Sequence, residues 1–128
     1  MDEPQIIELS EHNFDEFLRK PGKLVVVEFV TSTCPVCQAM IPIYDQVANE
    51  LSGKASFARI DADRNSQIAM KFGVMGVPAF KFFCGGKEVG GIVGATNATA
   101  LANTVKDFLR HGVGCKSTPL VYEMDGYG

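Results

Sequence analysis

Residues 24–30 read Leu-Val-Val-Val-Glu-Phe-Val, apolar at both alternating positions except Glu28. A strand with two apolar faces must be covered on both sides, which points to a sheet held between two layers of helices. The chain then passes through Thr31-Ser32-Thr33 into Cys34-Pro35-Val36-Cys37 and on to an amphipathic stretch ending near Leu51. The order is strand, loop, helix, with two cysteines on the helix's first turn.

Thiols three residues apart on a helix start lie about 5–6 Å apart, which a disulfide spans with little backbone movement. Free amide N–H groups and the positive end of the helix dipole favour a thiolate there, and Cys34 gains most from both. Pro35 suits the first helical position, where its missing N–H would be unpaired anyway. Cys37, one turn in, is expected to be shielded. These positions assign Cys34 as the attacking thiol and Cys37 as the resolving thiol that closes on a mixed disulfide.

Ahead of this unit, Gln5-Ile6-Ile7-Glu8-Leu9 reads as a first strand, and Ser10-Glu11-His12-Asn13 supplies caps for a helix through about Lys20, ended by Pro21-Gly22. The long helix, about Pro35 to Leu51, presents Met40, Ile41, Tyr44, Val47, Ala48 and Leu51 at helical spacing, with Pro42 expected to kink it. Ala55 to Asp61 reads as a strand, Asn65 to Phe72 as a short helix, and Ala79 to Cys84 as a strand. A hairpin turn at Gly85-Gly86-Lys87 leads into Glu88 to Val93. Thr96-Asn97 caps a last helix to about His111, with Gly112 as its stop. Residues 113–128 lack a clear period and read as a tail, loosely attached or docked through Leu120, Val121 and Tyr122.

At 128 residues, 46% hydrophobic and 21% charged, the chain has room for one domain, placed at 1–112, ahead of that tail. A net charge of −3 offers no basic field for nucleic acid or anionic membrane. Neither a secretory leader nor a membrane-spanning run is apparent, so the expected location is the cytoplasm. Four cysteines in such a setting point to catalysis or metal rather than to a disulfide frame. Cys84, at a strand end, reads as an inert buried thiol, and Cys115 as an accessible one. His12 and His111 read as surface residues near helix ends.

This arrangement of β-α-β-α-β followed by α-β-β-α, with Cys-X-X-Cys opening the second helix, resembles the thioredoxin family over roughly residues 5–111. Five landmarks occur in the family's order: Val27-Glu28-Phe29 ahead of the cysteines, Pro42 within the helix, Asp61-Ala62-Asp63, Gly76-Val77-Pro78, and Val93-Gly94-Ala95. The resemblance implies an α/β thioredoxin fold, a mixed central sheet flanked by helices on both faces. It implies thiol-disulfide oxidoreductase activity with no cofactor and no metal. Its partners would be protein disulfide substrates and an unidentified reductase or small-thiol electron donor, and the protein a monomer.

Read from the residues alone, Val77-Pro78 is a plain trans turn before a strand. The resemblance implies a cis bond at Pro78 opposite the cysteines, leaving the Val77 backbone to pair with an extended substrate, with Thr33, Pro35, Val36 and Gly94 forming a shallow surface around it. Glu28 occupies the place of the family's buried Asp, which suggests a general base for Cys37. As a residue in a strand it is equally a solvent-facing or salt-bridged position. Arg59 stands where many members carry Lys beside that acid; it could hold Glu28 ionised without shuttling a proton.

Two departures from the family bear on chemistry. Members typically show Trp-Cys-Gly-Pro-Cys, whereas this chain has Thr33-Cys34-Pro35-Val36-Cys37 and no Trp. The Cys-Pro-X-Cys form resembles glutaredoxins and oxidising periplasmic relatives, yet no cationic cradle for glutathione is evident. Val36 brings no basic or hydrogen-bonding group, which favours a reductase over a strong oxidant. Two other readings stand beside it. One is a thioredoxin-like binding module for a dedicated partner. The other is zinc or iron–sulfur binding through Cys34 and Cys37, for which the remaining ligands would have to come from scattered Cys84, Cys115, His12 and His111.

Overall fold

A computed structural model describes residues 6–19 and 23–111, the side chain of His111 excepted. The elements in order are β1 (Ile6–Leu9), α1 (Phe14–Leu18), β2 (Leu24–Val30), α2 (Pro35–Glu50), β3 (Ala55–Asp61), α3 (Ser66–Lys71), β4 (Ala79–Cys84), β5 (Lys87–Val93) and α4 (Ala98–His111). They form one five-stranded sheet in the order β1-β3-β2-β4-β5. β1, β3 and β2 run parallel, and β4 and β5 are antiparallel additions. The sheet is mixed, as the resemblance implied.

β2 lies in the middle and all seven of its residues are buried. Leu24 and Val26 face a cluster with Met40, Tyr44 and Val47 of α2 and Leu101 and Val105 of α4. Val25, Val27 and Phe29 face the opposite cluster, with Phe14, Phe17 and Leu18 of α1. Alternation along one strand thus sends successive side chains into two cores, and Glu28 goes with Leu24 and Val26 toward α2.

Several local expectations shift. α1 is only five residues long, and the Asn13 amide does not cap it: Oδ1 accepts from Ser10 N at 2.7 Å and Nδ2 donates to the Glu8 carbonyl at 3.3 Å. α2 continues through Pro42 to Glu50, one residue short of the sequence reading. Asn97 does cap α4, its Oδ1 accepting from Ala100 N at 2.8 Å. Cys84 is buried as expected but is not a free thiol: it is disulfide-bonded, and its partner is not among the described residues. Gln5, Lys20, Pro21, Gly22, Gly112, Cys115 and the tail at 113–128, with its proposed docking residues, lie outside the described residues.

Candidate active site

The turn from β2 into α2 places Cys34 at the N-cap with extended φ/ψ of −103° and 109°, and Pro35 at the first helical position. An N-cap side chain normally accepts a hydrogen bond from one of the helix's free first-turn amides, a role Ser, Thr, Asp and Asn fill with oxygen. Here sulfur does it: Cys37 N donates to Cys34 Sγ at 3.1 Å. Both thiols are free, Cys34 partly exposed and Cys37 fully buried. The outer residue is open to solvent and the inner one is sealed from it.

Burial, then the contact with Cys34, pushes the Cys37 thiol up to about 11. It is therefore protonated at neutral pH, and any nucleophilic role would require it to lose that proton first. On the sheet side stands Glu28, 0% exposed, at the β2 position paired with Arg59 of β3. Arg59 Nε donates to Glu28 Oε1 at 2.8 Å, while Oε2 has no hydrogen-bond partner among the described residues. Desolvation outweighs the guanidinium's pull, so the carboxyl is pushed up to about 7. Sequence reasoning allowed that Arg59 could hold Glu28 ionised. The ion pair is present, but burial wins and leaves the acid titrating near neutrality. Glu28 is both buried and salt-bridged, so neither reading of it from sequence was complete.

Facing the cysteines, the Val77–Pro78 bond is cis, as the resemblance implied. The Val77 carbonyl accepts from Cys34 Sγ at 3.9 Å, and Pro78 is buried. Gly94 N donates to the Pro78 carbonyl at 2.8 Å, which ties the end of β5 to this turn. Gly94 adopts φ +95°, a conformation a residue with a Cβ rarely takes. Around the thiol, Thr33, Pro35 and Val36 are exposed, and Val77 and Gly94 half-buried. Sequence reasoning did not single out two exposed apolar residues close in sequence to Val77 and Gly94, Met75 (94% exposed) and Val93 (76%). An apolar residue in a loop or at a strand end carries no signal of exposure until the fold is known.

Among the described residues, no group of three or more His, Cys, Asp or Glu side chains could hold a metal ion. No helix among them is long and apolar enough to cross a membrane.

The family model for thioredoxin matches residues 5–107. The chain belongs to the thioredoxin family. Among curated relatives it is 34% identical over 118 residues to protein disulfide-isomerase 2-3 of Arabidopsis thaliana, covering 89% of this chain and 27% of that one. It is 32% identical over 102 residues to thioredoxin 1 of a Nostoc species, covering 80% and 95%. The chain thus spans about a quarter of the isomerase and nearly all of the thioredoxin. The crystal structure of Malassezia sympodialis thioredoxin superposes with a TM-score of 0.76, covering 85% of this chain and 95% of that chain at 24% identity, a likeness of fold. In thioredoxin terms the departures stay local: Pro35 and Val36 between the cysteines, Glu28 as the buried acid, and Arg59 beside it.

Proposed function

We propose that this protein is a dithiol–disulfide oxidoreductase that reduces protein disulfides through Cys34 and Cys37. The observation that carries the reading is the pairing of a partly exposed N-cap sulfur, receiving the Cys37 N–H at 3.1 Å, with a buried second thiol three residues on. The thiolate of Cys34 attacks a client disulfide; one client sulfur leaves as a thiol and a mixed disulfide forms. Cys37 then attacks Cys34 Sγ, the second client thiol leaves, and two electrons have passed from the pair to the client. Both activity and client class draw support from the thioredoxin and isomerase relatives.

In this reading Glu28 accepts the Cys37 proton, and its position near neutrality supports that role. The client lies along Val77-Pro78 as an extended strand, with Thr33, Pro35, Val36 and Gly94 beneath it. Residues 1–112 carry the cycle as one domain and a monomer, without the tail at 113–128. Electrons come from a reductase protein or a small thiol.

The compartment proposed is the cytoplasm, where thiol pools return such a pair to the dithiol form. The test is stoichiometric: reduced protein mixed with a disulfide-bonded model protein should release two client thiols per pair oxidised. Cys34→Ser should release none; release by that variant would contradict the assignment.

A further inference from the structure

The guanidinium of Arg59 is shared. Its Nε donates to buried Glu28 at 2.8 Å, and its Nη2 donates at 3.1 Å to Asp45 Oδ1 on α2, whose side chain is 53% exposed. The Tyr44 ring lies against the same cation, with Arg59 Cζ 5.7 Å from its centroid. That ring is fixed: its hydroxyl contacts the Val26 carbonyl at 3.0 Å, the Ala58 carbonyl at 2.7 Å and the Ala58 N–H at 3.2 Å, all on the sheet. The cation is thus held against an anchored ring and between two carboxylates. Asp45 and Arg59 open onto a cleft of about 520 Å³ that Ile6, Gln46 and Asn49 also line.

We propose that Asp45 is a positioning residue: by holding one end of Arg59 it limits how much positive charge reaches Glu28, and so sets how readily the buried carboxyl takes and returns a proton. Its role on Glu28 stands on the geometry of the shared cation. Its consequence for turnover rests on the proton role given to Glu28 above.

The other groups facing Glu28 do not substitute for it. Glu8 on β1 adds a weaker like charge, and Cys37 and Tyr44 on α2 are neutral near pH 7. The β4 position paired with Glu28 is Phe80, and α4 contributes apolar Leu101 and Val105 to that side. Asp45 is the one carboxylate touching the cation that Glu28 depends on for its only hydrogen bond, among the described residues.

The experiment follows the Glu28 carboxyl directly by carbon NMR across pH in the full chain, with Cys34 and Cys37 held as a disulfide so that neither titrates. Asp45→Asn should lower the Glu28 midpoint by about half a pH unit or more, since the whole guanidinium then serves one carboxylate. Asp45→Glu should restore it. Glu50→Gln, which removes an exposed charge from the same helix, should leave it in place. An unchanged midpoint in Asp45→Asn, or an equal shift in Glu50→Gln, overturns the proposal. A second readout separates the two readings. If the midpoint moves in Asp45→Asn while the pH profile of disulfide reduction does not, the proposal holds and the proton role of Glu28 fails.

Discussion

The amide nitrogen of Cys37 lies 3.1 Å from Cys34 Sγ, so the residue proposed to resolve also supplies a hydrogen bond to the residue proposed to attack. One helix turn thereby sets two unlike thiols. The first has a backbone donor and access to solvent, and the second is sealed and pushed up to about 11. The sequential roles proposed for them rest on that difference.

In the proposed docking the client rests on residues that flank the thiol, and Val93 adjoins Gly94 among them. Val93 is 76% exposed, so Val93→Asp disturbs little packing. It should raise KM for a protein disulfide several-fold with kcat nearly unchanged, and leave reduction of a small aromatic disulfide at the original rate. Equal loss on both substrates would show damage to the thiols rather than to docking.

Stability should fall as pH rises through neutrality. Glu28 has a folded value of about 7 against an ordinary 4.5, so the native state holds an extra proton between them. Its contribution is full below 4.5, declines across that window and is lost above 7. The integrated effect is about 3 kcal/mol at most. Glu28→Gln should therefore be more stable than the parent at pH 8 in urea, and the gap should close near pH 4.5. A gap of the opposite sign at pH 8 would mean that the ion pair with Arg59 outweighs burial.

Tyr44→Phe tests the anchor beneath this network. Removing the hydroxyl strips the Val26 carbonyl and both backbone groups of Ala58 of a fully buried partner. Denaturation should show a loss of about 1–3 kcal/mol. A neutral result would mean that the β2–β3 ladder closes over the gap.

Gly94→Ala should weaken both fold and turnover. The φ of +95° strains any residue with a Cβ, although nothing lies within 4 Å of where the Cβ would sit. The expected cost is about 1 kcal/mol or more, read as a lowered denaturant midpoint. If the strained segment relaxes by moving, the hydrogen bond to Pro78 goes and client reduction slows with it.

Much of this arrangement could be read from the chain because its signals are local. Leu24–Val30 announces a strand covered on both faces, and Pro35 after Cys34 announces a helix start, with no need of distant residues. The cis bond at Pro78 came from family resemblance, since Val77-Pro78 alone looks like an ordinary turn. What escaped depends on contacts between distant segments. Tyr44 at helical spacing reads as plain core, and nothing in its neighbours says that its hydroxyl reaches the backbones of two strands. Asp45 reads as an exposed helix residue, because its partner Arg59 is brought to it only by β3 pairing with β2. Cys84 reads as an inert thiol, since an isolated cysteine gives no clue to pairing.

The most direct test of the division between the two thiols is trapping. Cys37→Ser should accumulate mixed disulfides with client proteins through Cys34, because the attack proceeds and the release does not. Cys34→Ser should accumulate none through the pair, Cys37 being 0% exposed. Equal trapping by both variants would contradict the roles assigned here.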